Sequence, residues 1–96
     1  MTQHFLKLND RFFDAVANGI KTFEIRKNDR DYKVGDTLVL KEVNDDGKHL
    51  TYADHNLGIN LDYEIKVAVT YILTHEDFPD GVPEGYVAMS IERVEE

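Results

Sequence analysis

The chain has no cysteine, no tryptophan, two prolines and a single serine, Ser90. Without cysteine there is no disulfide framework, no thiol nucleophile and no thiolate zinc site. Ser90 lies in an alternating apolar segment beside no candidate base, which excludes a serine hydrolase. Neither a P-loop nor a dinucleotide-type glycine loop occurs. The four histidines, His4, His49, His55 and His75, are scattered without metal-ligand spacing, and Asp54-His55 and His75-Glu76-Asp77 are the closest groupings. Asp45-Asp46-Gly47 lacks the further ligands of a calcium loop and reads as a hairpin turn. No metal and no cofactor are expected. No apolar run approaches the length of a membrane span, and Met1 to Phe5 is not a basic region leading into one. The expectation is a cytoplasmic protein without a membrane partner, taken as a monomer.

What is present is charge, unevenly placed. Ninety-six residues with 42% hydrophobic content suit one domain over 1–96, with a single core and a net charge of -8. Residues 1–33 carry seven of the 11 basic side chains, Lys7, Arg11, Lys21, Arg26, Lys27, Arg30 and Lys33, against five acids. Residues 34–96 carry four bases and fourteen acids, a balance of -10. An acidic protein with its cations on one face binds phosphate locally, without strong nonspecific attraction to nucleic acid.

The patterning is mixed and weighted towards strands. His4 to Leu8 alternates as a first strand, and Asn9 or Asp10 caps a helix through Asn18 with Phe12, Phe13, Val16 and Ala17 on its apolar stripe. Gly19 is placed to end that helix. Phe23 and Ile25 then alternate with Thr22, Glu24 and Arg26, separating an apolar from a polar face. Val34-Gly35-Asp36 is a turn, Thr37 to Val43 a strand, Lys48 to Tyr52 its return, and Ala53 to Asp62 a loop. Tyr63, Ile65, Val67, Val69, Tyr71 and Leu73 share one face of the longest strand. Pro79, Gly81, Pro83 and Gly85 mark a loop before a last strand, Tyr86 to Val94, with Val87, Met89 and Ile91 inward. No βαβ rhythm appears, which favours a small curved sheet or barrel.

Two groups carry candidate chemistry. Glu24 and Arg26 are side-by-side neighbours on one strand face, within reach of Lys21, and the three together either hold a phosphate or present a carboxylate to the amine of a base edge. The plainer reading is a surface ion-pair network on a solvated strand. Lys27 to Lys33 offers Arg30 and Lys33 to phosphate, Asn28 to a base edge and Tyr32 as a stacking surface, a mixture suited to single-stranded RNA. Equally, Asn28, Asp29 and Asp31 are turn formers, and Tyr32 covers a barrel end.

The run from His4 to Glu42, with Gly19-Ile20-Lys21-Thr22-Phe23-Glu24-Ile25-Arg26 at its centre, closely resembles DUF3850, a family of uncharacterised bacterial and phage proteins. That family in turn resembles a branch of the ASCH group of the PUA-like superfamily, whose Gly-x-Lys-x-x-Glu-x-Arg signature is matched by Gly19, Lys21, Glu24 and Arg26. The likeness resumes at Val69 to Leu73 and Gly85 to Ile91, while residues 44–62 match poorly. The resemblance implies an α+β fold: a small PUA-like β-barrel of five or six mainly antiparallel strands, one N-terminal helix and a possible second short helix. It implies a cleft lined by Lys21, Glu24 and Arg26, with Asn28, Arg30, Tyr32 and Lys33 as secondary contacts, and binding of RNA or a nucleotide. Some relatives deacylate N4-acetylcytidine with a lysine, a threonine and a glutamate. Lys21 matches that lysine, but Glu24 stands where the threonine nucleophile would, with Thr22 two residues away. A noncatalytic binding module is therefore the leading expectation. The alternative is an amidohydrolase with Lys21 as base, assisted by Glu24 or Glu64, and a third reading is an acidic protein that engages a host protein.

Overall fold

Asn9 has two jobs: it closes the first strand, β1 (Gln3–Asn9), and caps the helix α1 (Asp10–Ala17) by accepting from the Arg11 N–H at 3.0 Å. The helix buries Phe13 and Val16 and is stopped at Gly19, whose φ of +71° lets the chain reverse. The Ile20 and Lys21 N–H groups then both bond to the Ala15 carbonyl, each at 2.9 Å. Arg93 adds a cap from the far end of the chain, donating to the Ala17 carbonyl at 3.0 Å.

Strands β2 (Phe23–Lys27), β3 (Thr37–Val43), β4 (Thr51–Asp54), β5 (Ile59–Asp62), β6 (Glu64–Thr74) and β7 (Tyr86–Arg93) complete the computed structural model, which describes residues 1–94. Five strands form a curled half-barrel in the order β1-β3-β6-β7-β2, in which β1 and β3 are parallel and the other pairings antiparallel. The five strands of the half-barrel fall within the five or six expected, β4 and β5 form a separate pair beside it, and α1 is the one helix among the described residues. Inside the curl, Leu6, Leu8, Leu38, Leu40, Ile65, Val67, Val69, Val87, Met89 and Ile91 meet Phe13 and Val16 in one core. The inward set of β7 is as expected, and β6 is the longest strand.

Three expectations change. Ala53 to Asp62 is not a loop. β4 and β5 pair with each other as a separate two-stranded arm around an Asp54–Gly58 turn, and β4 does not return along β3, which meets His49 in a single bridge. Secondly, β6 does not keep one face throughout. Val69 pairs with Ile91 and Tyr71 with Ser90, so Thr70 is an extra residue, and beyond it the alternation inverts. Ile72 then packs on the core, and Tyr71 is 61% exposed.

The third change is at β2. Its apolar residues, Phe23 and Ile25, face outward at 50% and 56% exposure, while Glu24 points inward at 2%. β2 is an edge strand whose register on β7 sets Glu24 opposite Met89 and Arg26 opposite Val87, and both partners are core residues. Pairing fixes the faces, so the charged residues lie on the concave side.

Candidate functional site

The curl brings the two edge strands, β1 and β2, towards each other without pairing them. The Thr37 N–H bonds to the Thr2 carbonyl at 3.0 Å, so even-numbered residues of β1 face β3, and Phe5 and Lys7 turn their main-chain groups to the open side. On β2, the Ile91 N–H bonds to Thr22 and the Asn28 N–H to Gly85. Antiparallel alternation then leaves the main-chain groups of Phe23, Ile25 and Lys27 on the open edge. Two unpaired edges thus face one another across a seam.

Arginines bridge that seam. Arg26 donates through Nη2 to the Lys7 carbonyl at 3.0 Å, and Arg30 through Nη1 to the Phe5 carbonyl at 3.1 Å. Arg26 is held in turn by Glu24, whose Oε1 accepts from its Nε at 2.9 Å and its Nη2 at 2.7 Å. The other carboxylate oxygen, Oε2, accepts from Lys21, whose ammonium also donates to the Phe23 carbonyl at 2.7 Å. The same ammonium lies 4.8 Å from the ring centre of Phe23 and 5.6 Å from that of Phe12. Glu24 is therefore no member of a solvated face. It is a buried anion compensated by two cations, both of which line the hollow beside the seam.

Two adjoining hollows make up the seam, and they share Lys7 and Arg26. The first, about 420 Å³, is lined mainly by apolar groups of Leu8, Phe12, Phe23 and Ile25 around Lys21 and Glu24. The second, about 370 Å³, is bounded by Phe5, Lys27, Asp29, Arg30 and Tyr32. Five cations from residues 1–33 thus gather along one groove of an acidic protein.

The sequence candidates divide accordingly. Lys21, Glu24, Arg26, Arg30 and Tyr32 come together at the seam. Tyr32 does so as a core residue, 6% exposed and edge-on to the His4 ring at 4.8 Å, so it offers no open stacking face. Burial pushes its hydroxyl pKa up, against the lowering by Arg26 and Arg30. Asn28 and Lys33 line neither hollow: the Asn28 N–H bonds to Gly85 at 2.8 Å, and the exposed Lys33 pairs with Asp31 at 3.2 Å. Glu64 on β6 lies 3.8 Å from Lys41 on β3, two interior strands of the sheet, and lines neither hollow.

Sequence reasoning passed over Lys7, Phe5 and Phe12. Phe5 and Lys7 are the outward positions of an alternating strand, and Phe12 sits at the margin of the helical stripe, 38% exposed. Also unread was the tie that supports the rim. His4 Nε2 donates to Asp36 Oδ2 at 2.8 Å, and both residues are buried. The Thr2 and Lys33 N–H groups complete the Asp36 shell at 3.2 and 3.0 Å. Burial acts to raise the Asp36 pKa, but these hydrogen bonds outweigh it and hold the carboxyl below its ordinary value. No group of histidines and acids that could hold a metal occurs among the described residues, and no helix there is long and apolar enough to cross a membrane.

In a solved crystal structure, the hypothetical protein PH0355 shares this fold at a TM-score of 0.56 and 19% identity, over 98% of this chain and all of that one. An uncharacterised 12.9 kDa protein of Escherichia phage P2 is 51% identical over 39 residues, which are 41% of this chain and 36% of that relative. The family model for the domain of unknown function DUF3850 matches residues 3–91, nearly the whole chain, and the protein belongs to that family.

Proposed function

We propose that the seam binds a nucleotide or a short stretch of single-stranded RNA, as the ASCH-like signature implies. The observation that carries this reading is the gathering of Lys7, Lys21, Arg26, Lys27 and Arg30 along one groove beside exposed Phe12 and Phe23. Cations that track a backbone, next to aromatic faces that stack on bases, are the means by which proteins hold single strands. The rest of the surface is acidic, which confines binding to this groove.

The same geometry disfavours deacylation. The Lys21 amine is already engaged by Glu24 and the Phe23 carbonyl, and among the described residues no hydroxyl nucleophile is one of its hydrogen-bond partners. Titration calorimetry with short single-stranded RNAs and nucleotides tests the binding reading. Arg30→Ala and Lys27→Ala remove exposed cations, and each is expected to weaken binding several-fold; Lys27→Ala leaves the melting temperature unchanged, and Arg30→Ala, which also loses the bond to the Phe5 carbonyl, lowers it by no more than a few degrees. Unchanged affinity in both variants, or no binding by the parent, refutes it. Incubation with N4-acetylcytidine followed by chromatography is expected to return the substrate intact.

A further inference from the structure

We infer that the seam is built for one nucleoside monophosphate unit with a guanine base, a proposal that rests on the nucleotide-binding reading above. The two hollows differ in chemistry along the groove. The Phe12, Phe23, Leu8 and Ile25 walls of the first suit the faces of a flat ring, and Lys7, Arg26, Lys27 and Arg30, against Asp29 alone, make the second a place for an anion. The carbonyls that Arg26 and Arg30 grip, those of Lys7 and Phe5, are two residues apart on one strand, or about 6–7 Å. That separation is comparable to the distance from a base to its own phosphate.

Base choice follows from which hydrogen bonds are already made. Glu24, the one carboxylate of the first hollow, is 2% exposed and accepts three hydrogen bonds from Arg26 and Lys21, so it has no open face to offer an exocyclic amine. Donors are left over instead. Among the described residues, nothing engages Arg26 Nη1, and the Lys21 ammonium uses two of its three protons. The open edge of β2 adds the main-chain N–H of Ile25 as a further donor, beside the Ile25 carbonyl as an acceptor. A floor weighted towards donors calls for a base edge rich in acceptors. Guanine supplies one in its adjacent O6 and N7, the pair that arginine and lysine read in duplexes; adenine sets an amino donor beside N7, uracil separates its two carbonyls by an N–H donor, and cytosine's adjacent N3 and O2 lie on a smaller single ring that covers less of the apolar walls. Glu24 acts here as a positioning residue.

Calorimetry at low ionic strength with GMP, AMP, CMP, UMP and guanosine tests this. GMP is expected to bind at least tenfold tighter than AMP or CMP and at least fivefold tighter than guanosine. Arg30→Ala is expected to abolish the advantage of GMP over guanosine, with a thermal melt verifying the fold. AMP within twofold of GMP, or guanosine equal to GMP, overturns the proposal but leaves nucleotide binding standing. Failure of every nucleotide and RNA to bind overturns both. A short RNA with a terminal phosphorylated guanine separates the two sources of such a unit. Tighter binding than GMP supports a chain end as the ligand, and weaker binding supports the free nucleotide.

Discussion

Arg26 does three things with one planar group: two bonds to Glu24 and one across the seam to Lys7. Lysine has neither the fork nor the reach in two directions, so Arg26→Lys is not conservative here. Leaving Glu24 buried with a single partner and the Lys7 carbonyl without a donor is expected to cost about 2–4 kcal/mol. In a domain of this size that lowers the melting temperature by more than about 8 °C, measurable by thermal denaturation. A second residue ties stability to pH. Asp36 binds its proton less tightly in the folded state than in the unfolded chain, so its contribution is complete above the ordinary carboxylate range and is lost as the pH falls through the lowered value. Asp36→Asn is expected to be less stable than the parent at pH 7 and to lose less on acidification below about pH 4, so denaturant midpoints across pH should converge. Parallel curves would show that Asp36 is not the group responsible.

Elements were legible where local pattern and pairing agree. The capped helix, the Gly19 stop, β3, the length of β6 and the inward set of β7 all follow from periodicity and turn chemistry. Faces were not legible where pairing overrides pattern. β2 alternates in the ordinary way, but its register on β7 turns the charged positions inward, and no window of β2 alone contains that information. The Thr70 bulge is equally silent, because Tyr71 and Leu73 continue an apolar alternation that the bulge has already inverted. The inversion can be checked by substitution. Ile72→Ala is expected to destabilise by about 2–3 kcal/mol and Tyr71→Ala by less than about 1, the reverse of what the unbroken alternation implies, read from urea midpoints. Of the site, the signature residues were legible as a group, while its other wall was not, because Phe5 and Lys7 join it only through the curl of the sheet. The β4–β5 arm was missed since neither four-residue strand has a strong alternation, although its register puts Tyr52, Ile59 and Leu61 on one face. An isolated hairpin of this length is marginal in water, so its amides are the ones that exchange first.

At the scale of the whole molecule, charge is segregated rather than balanced. The groove holds five of the 11 basic residues, and the remaining surface holds most of the 19 acids. Such a surface repels a long polyanion everywhere except at the seam, so extending an RNA beyond the groove adds little. The affinity for a short RNA is expected to fall with salt at a logarithmic slope of about -0.7 to -1.5, the signature of one or two phosphate contacts, and a slope steeper than about -4 would reveal a much longer footprint. The half-barrel also has an unusual last joint. Its two edges are latched by arginine side chains, through two solvent-exposed hydrogen bonds rather than rungs of the backbone ladders. The most basic groove of the described residues is therefore also the line along which the wall is joined by side chains alone, and the oxygens of a bound phosphate would compete with the Lys7 and Phe5 carbonyls for Arg26 and Arg30.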